Sequence, residues 1–329
     1  MLMTRYTHGT FALTTILLSV ALLGVEYGSA FAQGKLDARY SVTLAGLSIG
    51  RGSWVINIGE DEFSATANGT TAGLMHVFAS GQGYSSVHGT IAAGQLAPAV
   101  YTTSIRTGQE EYEVRMVFSG GNVIDFAAQP PNAPSPDRIP LSEIDRQGVS
   151  DPMTASLVWV PGKGDTVAPQ ACERIVSIFE GHMRYDLQLA FRRIERVKSR
   201  IGYEGPVVVC SMHFEPIAGH IPYRYAISYL AELRDIELSL APIAGTRVLA
   251  PYSLLSADAA RNGDHAGGSI RRHLSIEPVL AAPTRRRVAL SSSFLLAASV
   301  VASFHLSMTP SPMMRDVEGR GFIGLAPSS

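Results

Sequence analysis

Residues 111–118 read EYEVRMVF, and this stretch decides the fold class of the chain. Apolar side chains stand at every second position from Tyr112 to Phe118, and charged side chains stand between them as far as Arg115. Successive side chains of an extended strand point to opposite faces, so this alternation predicts a strand with one buried and one solvated face. The same pattern recurs in residues 40–44, 54–58, 185–191, 223–229 and 236–240.

The segments between these strands predict antiparallel pairing. Residues 119–122 (SGGN) and 180–182 (EGH) are glycine-containing turns between strand patterns, which is typical of hairpins. We predict one helix, because Asp151 is a good N-cap, Pro152 suits the first helical position, and Pro161-Gly162 ends the pattern. One short helix cannot cover six one-sided strands. The sequence therefore predicts a mainly β protein with a curved antiparallel sheet, half-barrel or barrel-like, and one short helix.

Residues 1–32 have the pattern of a cleavable secretory signal peptide. A polar start precedes the 13-residue apolar run 11–23, and Ala30-Phe31-Ala32 offers a small-x-small cleavage site before Gln33. A membrane anchor is the alternative, but crossing a bilayer takes about 20 apolar residues. We therefore expect an exported protein of the periplasm or cell envelope, cleaved after Ala32.

The charge pattern changes along the mature chain. Residues 33–258 hold 18 basic and 23 acidic residues, whereas residues 259–329 hold 8 and 4. Strand alternation also ends near Leu255, so we predict a β domain over 33–255 and a basic, disordered tail over 256–329. The apolar run 288–306 follows three arginines that would lie outside the membrane, against the positive-inside tendency. We expect no stable membrane span and no nucleic-acid partner.

Two cysteines remain after export, Cys172 and Cys210. An even pair in an oxidising compartment predicts a disulfide, and two reduced, buried thiols are the alternative. No C-x-x-C motif is present, so a thioredoxin-like redox site is excluded.

Motifs of catalysis and cofactor binding lack their structural context. Residues 46–50 (GLSIG) match the nucleophile elbow around Ser48, but strand patterns stand on both sides where the elbow needs a helix. Residues 319–324 (GRGFIG) match a dinucleotide motif with only five residues after it. The histidines are scattered without metal-site spacing. We predict no catalytic residues, no metal and no cofactor, and a serine hydrolase is the least favoured function.

In the order of its short motifs, the chain resembles the exported Gram-negative proteins grouped as domain of unknown function 3108. The resemblance covers roughly residues 35–255 and is carried by GLSIG at 46–50, TAGL at 71–74, Pro98 before Tyr101, DPMTA at 151–155, Cys172, Glu180-Gly181, Cys210 and PIAGH at 216–220. It implies export and a curved, mainly antiparallel sheet, and it supplies no activity and no site residues. The segment after Leu255 has no counterpart in this resemblance.

The one-sided strands suggest a binding function rather than an enzyme. Our first hypothesis is that the curved sheet holds an apolar small molecule or lipid, and the alternative is a structural or assembly partner of an envelope protein that acts through its surface. A closed, fully packed core without a ligand also fits the pattern. The candidate ligand-lining residues alternate along two strands: Tyr112, Val114, Met116, Phe118, Tyr185, Leu187, Leu189 and Phe191.

Overall fold

A computed structural model describes residues 33–44, 47–72, 81–108, 110–131, 135–198, 203–222 and 236–256, together with the backbone of 274–278. The chain divides into two compact units, Met1–Ala32 and Gln33–Ser329. This division falls at the predicted cleavage point. The predicted signal peptide itself lies outside the described residues, so export stays a prediction.

The second unit is built on one antiparallel sheet. Its strands are β1 (Gly34–Leu44), β2 (Leu47–Ile58), β3 (Glu62–Thr71), β4 (Gly81–Ala92), β5 (Gln95–Thr107), β6 (Glu110–Ser119), β7 (Asn122–Gln129), β8 (Val158–Trp159), β9 (Arg174–Phe179), β10 (Arg184–Val197), β11 (Gly205–Ala218), β12 (Ile236–Pro242), β13 (Val248–Ser256) and β14 (Leu274–Pro278). The order across the sheet is 7-6-5-4-3-2-1-14-13-12-11-10-9, and the short β8 pairs with β13. The sheet curls into a half-barrel, which confirms the predicted fold class.

Strand β14 lies within the segment that the sequence assigned to the tail. It pairs with β1 on one side and with β13 on the other, so it joins the two halves of the sheet. The rest of that segment, including the apolar run 288–306, lies outside the described residues, as does the strand predicted over 223–229. No helix in the described part of the chain is long and apolar enough to cross a membrane.

The predicted helix begins where expected but is much shorter. Helix α1 spans only Pro152–Ala155, and the Asp151 carboxylate accepts hydrogen bonds from the backbone N–H groups of Met153 (2.8 Å) and Thr154 (3.0 Å). The residues that were predicted to continue this helix as far as Pro161 instead contain β8, in which Val158 pairs with Leu249 of β13. The extension of the helix to Pro161 is therefore wrong, because pairing with the sheet overrides the helical spacing.

The main core is filled by the protein's own side chains. Trp54, Ile56 and Met116 are fully buried and share a cluster with Met153 of α1 and Phe179 of β9. Helix α1 contacts β4, β5 and β9, so it connects strands from both halves of the curled sheet. The interior beside these strands is therefore occupied by packed side chains.

Candidate functional site

The two end strands of the sheet, β7 and β9, approach each other where the sheet curls. Phe126 of β7 meets Phe179 of β9 edge-to-face, with ring centroids 5.8 Å apart. Ser150 lies beside β9 and forms two backbone hydrogen bonds with it. The N–H of Ser150 donates to the carbonyl of Ser177 (2.9 Å), and the carbonyl of Ser150 accepts from the N–H of Phe179 (3.0 Å). We call this region the seam. It is held by aromatic contact and a few backbone hydrogen bonds rather than by a continuous ladder.

The turn between β9 and β10 extends the seam onto β6. Gly181 has a φ of +102°, and a Cβ there would lie 2.7 Å from a methyl group of Val114. Beside it, Nε2 of His182 donates to the carbonyl of Pro130 (3.2 Å), so Nδ1 is left to accept from the hydroxyl of Tyr112. Burial lowers the pKa of His182, and the nearby Arg138 charge lowers it further. His182 therefore joins β6 to the end of β7 as a neutral ring.

Two carboxyl groups are buried beside this turn. Glu180 is only 5% exposed, and no residue described in the structure gives its side chain a hydrogen bond or an ion pair. Burial raises its pKa to about 7. Asp151 is fully buried, and burial raises its pKa to about 6 despite its cap hydrogen bonds. Burial raises the pKa of the nearby Tyr101, and the negative charges of Asp151 and Glu180 raise it further. The arrangement can bind and release protons near neutral pH.

Replacing Glu180 with glutamine is expected to stabilise the protein in a pH-dependent way. Since the folded pKa of about 7 exceeds the usual 4.5, the folded state keeps a proton that the unfolded state releases between these values. The free energy of unfolding of the wild type therefore falls as the pH rises through this window. Glutamine does not ionise, so the variant should gain about 3 kcal/mol at about pH 8 and little at about pH 4, measured by urea unfolding.

The matched control is Glu113→Gln on β6, where the side chain is exposed. It should leave the free energy of unfolding nearly unchanged at both pH values. An equal gain from Glu180→Gln at both pH values would contradict the prediction, because it would show that the carboxyl has the same pKa in the folded and the unfolded protein.

The four predicted lining residues on β6 pack against other side chains of the protein. Val114, Met116 and Phe118 are buried in the main core, and Tyr112 is half-buried against His182. Residues packed in this way are held in place by their neighbours. The structure assigns them to the interior.

The four predicted lining residues on β10 lie in a different part of the sheet. Tyr185 is buried beside Phe214, with ring centroids 5.2 Å apart, and Leu187 and Leu189 are half-buried. Phe191 is 37% exposed. Exposure therefore increases along β10, and the structure does not bring this set together with the set on β6.

A groove of about 540 Å³ crosses β9, β10 and β11, and it is the candidate site. Leu189 lies opposite Arg174 of β9 and opposite Met212 of β11, so these three side chains share a face of the sheet. Ile175 and His213 also border the groove, but both lie opposite Gln188 and therefore point to the other face of the sheet. The face of Arg174 combines apolar side chains with a cation, and small-molecule sites commonly combine apolar and polar groups in this way.

The cysteine pair stands at one end of this groove. The sulfur atoms of Cys172 and Cys210 are 2.05 Å apart and both residues are fully buried, so the pair is at disulfide distance as predicted. Cys172 immediately precedes Glu173 and Arg174, whereas Cys210 lies in β11 opposite Phe191. The pair ties the start of the end strand β9 to β11 across the intervening β10.

Local sequence patterns did not identify the seam. Glu180 and His182 looked like ordinary turn residues, and Tyr112, the hydrogen-bond partner of His182, is 70 residues away from it. A signal did exist, because an acid and a histidine flank a glycine between strongly apolar strands. Ser48, the candidate nucleophile, is exposed within β2 and not at a strand-to-helix turn.

Comparison with known proteins places this fold in a family. No curated protein and no solved structure matches the chain. The profile of a family described as protein of unknown function (DUF3108) matches residues 39–252, which hold α1, the seam, the groove and both cysteines. Since this match spans most of the sequence, the chain belongs to the DUF3108 family of proteins of unknown function.

Proposed function

We propose that the protein is an exported, non-enzymatic binding protein that holds an apolar ligand in the groove of β9–β11. The observation that carries the proposal is the row formed by Arg174, Leu189 and Met212, in which the half-buried Leu189 lies between a half-buried cation and the buried Met212. The volume of about 540 Å³ lies within the usual range of roughly 300–1,000 Å³ for small-molecule sites.

The interior of the half-barrel is a poorer place for a ligand. Trp54, Met116 and Phe179 are fully buried there together with α1. A ligand would have to displace packed side chains, each of which stabilises the fold by about 1.5–3 kcal/mol. The groove requires no such displacement.

Export is supported by the signal-peptide pattern of residues 1–32 and by the cysteine pair at disulfide distance. Disulfides persist in oxidising compartments and are rare in the cytosol. The two observations are independent and favour the same location.

A binding function is favoured over catalysis by the positions of the reactive groups. Glu180 and His182 are buried, and His182 is occupied by Tyr112 and Pro130. Ser48 lies within a strand, where the sharp turn that exposes a nucleophile is missing. In our proposal these groups belong to the folded framework and do not contact the ligand.

Replacing Leu189 with glutamate is expected to weaken the binding of a fluorescent fatty-acid probe by at least tenfold. Leu189 is the central residue of the row, and a carboxylate there would have to be desolvated against the apolar part of the probe. Fluorescence titration measures the Kd, and a thermal melt identifies variants that stay folded.

Ile124→Glu on β7 is the matched control, because Ile124 is 64% exposed and lies outside the groove. It should leave probe binding unchanged. If Leu189→Glu unfolds the protein, Phe191→Glu tests the same strand at a more exposed position. Wild-type protein that binds no apolar probe would overturn the proposed ligand.

A second function is favoured by the apolar residues exposed on these strands. Phe191 is 37% exposed and Ile194 is 48% exposed, and the two side chains share a face of β10. Neighbouring exposed apolar side chains are typical of protein–protein contact sites. Under this alternative, the same strands bind an envelope protein. Wild-type protein that binds no apolar probe would favour this alternative.

A further inference from the structure

Arg174 is a cation in the groove that has no anionic partner among the described residues. It is half-buried, and one terminal nitrogen donates to the carbonyl of Trp159 (3.2 Å). Its Nε is buried without a hydrogen-bond partner, and no carboxylate of the described residues forms an ion pair with it. Burial lowers the pKa of Arg174, as expected for a desolvated guanidinium without a compensating charge.

The acids near the groove do not supply this charge. Asp186 is paired with Arg184 at 2.7 Å, and Glu215 accepts a hydrogen bond from Gln188 at 2.5 Å. Glu173 is adjacent in sequence, but it is exposed and makes no ion pair with Arg174. Partly burying an unpaired charge is costly, so an anion at this position would stabilise the protein.

An apolar path leads away from Arg174 along β10. Leu189 lies opposite Arg174, and Phe191 and Ile194 follow it on the same face of β10, beyond the residues that line the groove. Their partners on β11, Cys210 and Val208, alternate with Met212, the partner of Leu189. Because of a bulge after Phe191, the segment from Leu189 to Ile194 spans only the four steps from Met212 to Val208 on β11, about 13 Å at ~3.3 Å per residue. This is the length of an extended acyl chain, and exposure increases along it.

We infer that the groove recognises a fatty acid, with the carboxylate on the Arg174 guanidinium and the acyl chain along Leu189, Phe191 and Ile194. This inference rests on the proposed function and names its ligand class. The planar guanidinium presents paired N–H donors that match a carboxylate. The apolar path explains why a small inorganic anion would not suffice, since it would leave the exposed side chains in water.

The test compares dodecanoate, methyl dodecanoate, butyrate and inorganic phosphate by competition with the fluorescent probe. Dodecanoate is expected to bind at least tenfold more tightly than its methyl ester, because a charge-assisted hydrogen bond contributes about 1.5–3 kcal/mol. Arg174→Met should abolish this preference while the ester still binds. Arg115→Met, an exposed residue on β6, is the matched control and should keep the preference.

Each outcome distinguishes the two proposals. Equal binding of acid and ester by the wild type overturns the carboxylate inference and leaves the apolar ligand of the proposed function. Competition by phosphate or butyrate as strong as that by dodecanoate reveals a simple anion site and overturns the role of the acyl chain. Failure of both acid and ester to bind overturns the proposed function as well. The comparison of acid and ester on the wild type decides the inference even if Arg174→Met does not fold.

Discussion

Replacing Gly219 with alanine is expected to destabilise the protein by about 4 kcal/mol. Gly219 has a φ of +82°, and a Cβ there would lie 2.0 Å from the carbonyl oxygen of His182. A residue other than glycine costs about 1–2 kcal/mol in this backbone conformation, and overpacking adds about 1–3 kcal/mol. The backbone atoms of the β9–β10 turn cannot move without disturbing the contacts of His182 with Tyr112 and Pro130.

Gly120→Ala is the control that separates the two costs. Gly120 also has a positive φ of +57°, but nothing lies within 4 Å of a Cβ placed there. Its replacement should therefore show only the backbone cost of about 1–2 kcal/mol. Urea unfolding followed by circular dichroism measures both variants, and equal losses would mean that the contact of Gly219 with His182 is absent in solution.

Loss of the disulfide between Cys172 and Cys210 is expected to have an effect of similar size. The two residues are 38 positions apart, and closing a loop of this length stabilises a protein by about 4 kcal/mol through the entropy of the unfolded chain. The double replacement by alanine should lower the free energy of unfolding by about this amount. It should also weaken probe binding, because Glu173 and Arg174 directly follow Cys172.

Reduction of the wild type distinguishes the covalent link from the packing of the sulfur atoms. A reducing agent should lower the midpoint of urea unfolding of the wild type and leave that of the double alanine variant unchanged. An unchanged midpoint for the reduced wild type would show that the bond contributes nothing to stability.

The sequence predicted the sheet well because alternation is a local property of a strand. The turns after Phe118 and Phe179 were equally visible, since glycine marks them. The same local reasoning overextended α1, because the pairing of Val158 with Leu249 depends on a strand far along the chain. Alternation shows which side chains share a face, but it does not show what covers that face.

The candidate site illustrates this limit. Met116 and Leu189 have similar alternating surroundings, yet Met116 is fully buried and Leu189 lines a groove. The difference comes from α1 and Phe179, which fill the interior beside β6. The sequence did not identify Arg174 as a candidate binding residue. Its role depends on the lack of an acidic partner among the described residues of β9, β10 and β11, and a local sequence pattern does not show this.

We expect the folded protein to open first at the seam. Amide protons in β2–β5 exchange only when a ladder with neighbours on both sides breaks, whereas β7 and β9 each have one laddered neighbour. Local opening at the seam brings Glu180 into contact with water, where it releases its proton above its usual pKa. Amide exchange of Ser150 and Phe179, which share the hydrogen bonds of the seam, should therefore accelerate between pH 5 and pH 8 by more than the intrinsic chemistry of exchange. We therefore expect the least protected edge of the sheet to be the edge whose opening depends most on pH.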